Sequence, residues 1–292
     1  MKKLVLLVSI CGLFAVPDFG NSSFTFTTIL FPNSNRTFAH GINDRGDVVG
    51  RYKIVGPAMG FLLRKGVFTT IAPPNAVFTA LSAINNEGEI VGTFDDQTGF
   101  THGLLFSGGV YTTLDYPGAT ATAATGINDR GDITGVFSDS NGVAHGFIWS
   151  HGVFTVLQFP GSLDTTASEI NDRGTIVGNW DTDPTTVGHG FVFDRGTFTT
   201  FDVPGASGTF GGGINSRGEI TGVYYDAQGG QHGFVLDDDT FSTLDVPEAT
   251  PGTTQATSIN ARGQVVGFYK NLAGQPRGFL AKPAHTHDRN DD

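Results

Sequence analysis

Apolar and polar residues alternate along short runs, and these runs recur in a fixed order down the chain. Val110-Tyr111-Thr112-Thr113-Leu114 is one such run. Val67 to Ile71, Val153 to Leu157, Phe198 to Phe201 and Phe241 to Leu244 repeat it, and Phe24 to Phe31 is a sixth version near the start. β-branched and aromatic residues at period two predict a β-strand. A proline follows each run (Pro32, Pro74, Pro117, Pro160, Pro204, Pro247), three times with glycine after it. Pro-Gly suits the centre of a type II turn.

A second run of small residues ends at an isoleucine, as in Thr122 to Ile127, and predicts another strand. The motif Ile-Asn-x-x-Gly then appears at Ile42, Ile84, Ile127, Ile170, Ile214 and Ile259. Asn and Gly at this spacing predict a tight turn, with the Asn side chain accepting a backbone N–H and the Gly taking positive φ. A third strand follows, as in Asp132 to Phe137, with a second Gly and then an aromatic residue. After a variable polar loop, a fourth strand opens at Gly60, Gly103, Gly146, Gly190, Gly233 and Gly278. The repeat of roughly 40–50 residues has the size of a four-stranded propeller blade. The chain begins with a lone Phe24–Phe31 strand and ends without one, so the first strand completes the last unit. Such a split unit closes a ring and removes its exposed edges. The sequence therefore predicts an all-β, six-bladed propeller over residues 21–283, closed by its N-terminal strand, and a monomer.

The text His145-Gly146-Phe147-Ile148-Trp149, a strand, a Pro-Gly turn and Ile-Asn-x-x-Gly-x-Ile-x-Gly resembles the HAF-repeat family of predicted extracellular bacterial proteins. His189 and His232 begin further His-Gly-Phe copies, and His102-Gly103-Leu104 is a fourth. The resemblance covers residues 24 to 282. It implies export and a repeat fold, and it brings no catalytic residues.

Composition adds location and excludes some partners. Met1-Lys2-Lys3 followed by an apolar run to Val16 reads as a signal peptide within residues 1–20, and the run is too short to span a bilayer. The protein is thus expected to be secreted or periplasmic. Its only cysteine, Cys11, falls inside that segment, which removes disulfides and Cys chemistry from the mature chain. A net charge of −11 disfavours nucleic acid and anionic membranes. Residues 284–292 show no apolar period and read as a disordered tail.

Candidate chemistry is sparse. The residues two before each isoleucine, His40, Ser82, Thr125, Ser168, Gly212 and Thr257, approach the axis if their strand is innermost, and Glu169 stands beside them. His40, Ser82, Thr125, Ser168, Glu169 and Thr257 are therefore the expected site for a small polar ligand, on the face opposite the Asn turns. Arg45, Arg130, Arg173, Arg217 and Arg262 tip the Asn turns and form a candidate ring for an anionic partner, against local pairing with adjacent Asp and Glu. His102, His145, His189 and His232 are too far apart for one metal and are expected to bind loop carbonyls. Asp95, Asp96, Asp139, Asp181, Asp183 and Asp226 lack a regular calcium ladder, and solvated turns explain them. No metal or cofactor is expected.

The leading function is a non-catalytic binding or scaffold propeller that engages a protein or glycan through its loop faces. The alternative is a propeller hydrolase or lyase acting on a carbohydrate or lactone, which would need paired acid–base groups at the axis. Ring closure has a direct consequence. Deleting residues 24–32 should lower the unfolding temperature strongly, measured by circular dichroism; an unchanged temperature would contradict closure.

Overall fold

The computed structural model describes residues 24–183 and 188–284. Residues 1–23 and 285–292 lie outside them, and with them the signal segment, Cys11 and nearly all of the tail. The described residues form strands and turns only. The first blade comprises β2 (Arg36–Ile42), β3 (Val48–Lys53), β4 (Met59–Arg64) and β5 (Val67–Ile71). The second comprises β6 (Phe78–Ile84), β7 (Ile90–Asp95), β8 (Thr101–Ser107) and β9 (Val110–Leu114). The third holds β10 (Ala121–Ile127), β11 (Ile133–Ser138), β12 (Ala144–Ser150) and β13 (Val153–Leu157). The fourth holds β14 (Asp164–Ile170), β15 (Ile176–Asp181), β16 (His189–Asp194) and β17 (Thr197–Phe201). The fifth holds β18 (Gly208–Ile214), β19 (Ile220–Tyr225), β20 (Gln231–Asp237) and β21 (Thr240–Leu244). The sixth is split: β22 (Gln255–Ile259), β23 (Val265–Lys270) and β24 (Pro276–Pro283) are completed by β1 (Phe24–Ile29).

All six sheets are antiparallel and four-stranded, so the chain is a six-bladed β-propeller. β1 pairs with β24 from Phe24↔Pro283 to Ile29↔Gly278, which is the ring closure the split unit predicts. The first strands of successive blades touch one another all the way round, from β2 to β22 and back, so they are innermost.

The repeated residues explain the packing. Phe61, Phe147, Phe191, Phe234 and Phe279 are fully buried at one position of the third strand of each blade, with Leu104 in the second blade. Each buried side chain of this size contributes roughly 1.5–3 kcal/mol. The second Gly of the motif makes room for that ring. At Gly135 a Cβ would lie 2.2 Å from Cζ of Phe147 and 2.3 Å from the Ala123 carbonyl. The third-strand Gly lies one or two residues inside its strand rather than at its start, as Gly146 does in β12. A Cβ there would meet the Leu157 carbonyl of β13 at 2.7 Å.

The Pro-Gly turns behave as expected. Gly118 has φ of 81° and Ala119 N donates to Tyr116 O at 3.1 Å. A buried Thr on each inner strand then receives the loop: Tyr116 N donates to Thr122 Oγ1, Phe159 N to Thr165 Oγ1 and Val203 N to Thr209 Oγ1. Thr79 is the exception, and its Oγ1 has no partner. Pro73 stands six residues before it and has no N–H to give.

The Asn of the turn does more than close the turn. Asn128 Oδ1 accepts from Arg130 N and Asp132 N, both at 3.0 Å. Its Nδ2 donates across the blade boundary to the Asn171 carbonyl. Asn43 donates to Asn85 O, Asn85 to Asn128 O, Asn171 to Asn215 O and Asn215 to Asn260 O. Asn260 closes the cycle onto Asn43 O at 3.0 Å. All six side chains are buried. Asn128→Ala would strand several buried backbone groups and should cost on the order of 3 kcal/mol in a denaturant titration. Asn128→Asp keeps the turn acceptor but loses the donor, so it should also destabilise; wild-type stability in Asn128→Asp would mean the ring contributes nothing.

Candidate functional site

The inner strands share an irregularity that builds the axis. Each pairing with the second strand slips by one residue, between Ala39 and Gly41, Leu81 and Ala83, Ala124 and Gly126, Ala167 and Glu169, Gly211 and Gly213, and Ala256 and Ser258. The skipped residues are His40, Ser82, Thr125, Ser168, Gly212 and Thr257. A bulge leaves its extra residue outside the ladder and re-aims its side chain. Here it turns five side chains toward the axis, and Gly212 has none. They line one cavity of about 240 Å³, together with Phe210, Val223 and Gln255. It lies toward the face that carries the long loops, away from the Asn turns. Five of the six expected ligand residues are thus brought together.

Glu169 is not with them. It lines a smaller cavity of about 60 Å³ on the Asn-turn side. The bulge turns Ser168 and Glu169 to different ends of the axis. Corresponding positions hold Gly41, Ala83, Gly126, Gly213 and Ser258, so Glu169 is the one large side chain at this level. It occupies space left by Gly126, whose Cβ would lie 2.7 Å from Glu169 Oε1. Ile127 N donates to that oxygen at 3.3 Å. The carboxyl retains some surface toward the narrow cavity but is otherwise enclosed by protein. Burial raises its pKa to about 8, against the hydrogen bonds from Ile170 and Ile127.

His40 stands on the wall of the larger cavity. Its ring lies near Phe38 and edge-on to Phe268, with centroids 6.3 and 5.9 Å away. Its Nε2 is buried and has no partner. Burial, and then the positive charge of Arg51, push its pKa down to about 3, so the ring is neutral at ordinary pH. The Arg51 guanidinium lies 4.6 Å from the Phe38 ring and 5.8 Å from the Phe78 ring. Sequence reasoning missed Arg51; a lone Arg in a position held elsewhere by Thr93, Val136, Asn179, Val223 and Phe268 was the available signal.

The five turn arginines do not form an open ring. Arg130 binds Asp132 at 3.0 Å and donates to the Asp172 carbonyl. Arg217 binds Glu219 at 2.5 Å and donates to the Ala261 carbonyl. Arg45, Arg173 and Arg262 are exposed and have no ion pair among the described residues. Asp44 and Asp129 also sit at these tips, where they accept backbone N–H groups of Ala261 and Asn86 in neighbouring blades.

The rim histidines bind side chains, not loop carbonyls. His102 Nδ1 meets Asp115, His145 Gln158, His189 Asp202 and His232 Asp245, each partner thirteen residues on. The cause is register: the partner follows the outer strand that lies beside the His strand. Second contacts reach Asp96, Asp139 and Asp226 in the loops. Burial alone would lower the pKa of His232, but its bonds to Asp245 and Asp226 outweigh this and raise it. Those loop carboxylates also close turns, as Asp139 Oδ1 does with Asn141 N and Val143 N. Among the described residues no group of three or more His, Cys, Asp or Glu is placed to hold a metal.

No family model and no curated protein matches this chain. Solved structures do. A putative TolB from Agrobacterium tumefaciens superposes with TM-score 0.59 at 13% identity, over 88% of this chain and 96% of that one. AofleA from Arthrobotrys oligospora gives 0.57 at 13%, over 88% and 86%. A mutant Aleuria aurantia lectin in complex with Fucα1-6GlcNAc gives 0.53 at 13%, over 87% and 93%. At such identity the likeness concerns the propeller fold. No helix among the described residues is long and apolar enough to cross a membrane.

The raised Glu169 pKa has a definite sign. The unfolded carboxyl ionises near 4.5 and the folded one near 8. Between these values the folded state holds more protons, so stability falls as pH rises. Glu169→Gln should match wild type in melting temperature at pH 4 and exceed it at pH 9. Parallel curves across that range would contradict the burial of this group.

Proposed function

We propose that the chain is an exported, non-catalytic binding propeller that takes a glycan in the axial cavity of its long-loop face. The carrying observation is the bulge-built cavity, lined by Ser82, Thr125, Ser168 and Thr257 together with His40; the Thr125 and Thr257 hydroxyls donate to backbone carbonyls and keep lone pairs to accept from a ligand. Hydroxyls and a neutral imidazole suit a hydroxyl-rich ligand, and Phe210 offers an apolar face for a sugar ring. A cavity of about 240 Å³ admits one sugar unit with its chain leading out to the loops. The Aleuria aurantia lectin, bound to Fucα1-6GlcNAc, supports carbohydrate binding on this fold without locating the site. The TolB structures and the HAF-repeat resemblance favour an exported protein.

The alternative of a hydrolase or lyase has no observation in its favour. It asks for paired carboxylates or a His–carboxylate pair at the axis. The described lining of the larger cavity contains His40 and no carboxylate. The nearest structural argument for hydrolysis is a Trypanosoma rangeli sialidase, at 9% identity with 59% of that chain covered.

A glycan array on the purified protein, with His40→Ala and His189→Ala beside wild type, tests the reading. Binding should be lost in His40→Ala and kept in His189→Ala, which lies on the rim. No binding at all, or loss only in His189→Ala, would contradict an axial glycan site.

A further inference from the structure

The loop ends of two opposite blades carry opposite charges. The first residue of each inner strand faces the last residue of the second strand. In the first blade this pair is Arg36↔Lys53. In the fourth blade it is Asp164↔Asp181. The corresponding pairs in three other blades do not carry two like charges: the second blade has Phe78↔Asp95, the third Ala121↔Ser138 and the fifth Gly208↔Tyr225. The first and fourth blades stand on opposite sides of a six-membered ring. Like charges directly opposite on neighbouring strands are destabilising. Both pairs therefore work against the fold, and the Asp181 pKa is raised by burial and by Asp164 and Asp183. Asp164 has one structural role, accepting from Ala144 N–H at 2.7 Å; the facing like charges themselves break a local rule, which makes them candidates for function.

Arg51 completes the basic side. It is half-buried between the Phe38 and Phe78 rings. Among the described residues it has no carboxylate partner and donates no hydrogen bond. A protein with 28 acidic residues does not lack carboxylates to pair with it. A half-buried guanidinium without an anion has its fork of donors unused, and that fork matches a carboxylate. Arg51 does not itself line the cavity, but its positive charge reaches His40 on the cavity wall, whose Nε2 also has no partner.

We infer that the axial site selects carboxylate-bearing glycans, with Arg51 as the anion anchor, His40 as a hydrogen-bonding neighbour and the carboxylate directed toward the first blade. This rests on the axial glycan reading and narrows it. Arg36 and Lys53 supply a favourable field on the anchoring side. Asp164 and Asp181 repel an acid bound the other way round, so they fix its orientation. The apolar sugar face lies on Phe210, the aromatic side chain in the cavity lining.

The test is a panel of uronate- and sialate-bearing oligosaccharides, each beside its neutral methyl ester, titrated calorimetrically into the whole protein. The free acids should bind at least about tenfold more tightly than their esters, the difference expected for a charge-assisted bidentate contact. The preference should shrink as salt rises. Arg51→Gln should abolish the preference and Arg51→Lys should restore part of it, with both variants checked by thermal melt. Equal binding of acid and ester by wild type would overturn the acidic preference and leave the glycan reading standing. Binding of neither acids nor esters, with neutral glycans bound on the glycan array, would do the same. No glycan bound at all would overturn both. An unchanged acid preference in Arg51→Gln would remove Arg51 as the anchor.

Discussion

Each turn asparagine donates its side-chain N–H to the backbone carbonyl of the next blade's asparagine, and six such bonds form a closed cycle round the axis. The cycle needs buried side chains with both a donor and an acceptor. The oxygen holds the blade's own turn while the nitrogen grips its neighbour. Neither Asp nor Ser supplies both at this length. The last bond, from Asn260 to Asn43, joins the split blade to the first. It works with the β1–β24 pairing, so the ring is closed at its inner edge and its outer edge at once. Because the inner strands are pinned at the turn end, they are fixed in position where the bulges occur. The cavity is then set by backbone geometry rather than by mobile loops.

Repetition and divergence divide the molecule. The Asn, the turn Gly, the strand Gly and the buried Phe recur because backbone contacts demand them. Gly135 has no room for a side chain beside Phe147, and the same holds for Gly178 and Phe191. At the bulged positions the blades differ: an imidazole, hydroxyls and one bare glycine. Glu169 and Arg51 are single departures at positions otherwise small or uncharged. Both carry a burial cost, which shows in the raised pKa of one and the lowered pKa of the other. A chain built of six near-copies acquires a directional site only through such departures.

Much of the fold was legible because period and turn chemistry are local. The strands, the Pro-Gly turns, the split blade and the six axial positions all followed from residue spacing. What escaped depended on contacts between blades. The inter-blade role of Asn128 could not be read from its own turn, which already gave it a full explanation. The rim histidines were misread for a similar reason: the constant interval from His102 to Asp115 and from His189 to Asp202 was in the text, but register across the outer strand gives it meaning. Glu169 was grouped with its neighbour Ser168, but the bulge at Ser168 sends the two to different ends of the axis.

The central proposal is that the closed ring binds its ligand at the bulge-lined end of the axis. Imidazole resonances of the whole protein, followed by NMR during titration with a bound glycan from the array, test this most directly. The account predicts that His40 shifts while the rim rings of His102, His145, His189 and His232 and the side-chain amides of the Asn cycle stay in place. Shifts confined to the rim histidines, with His40 unmoved, would place the ligand between blades and contradict it.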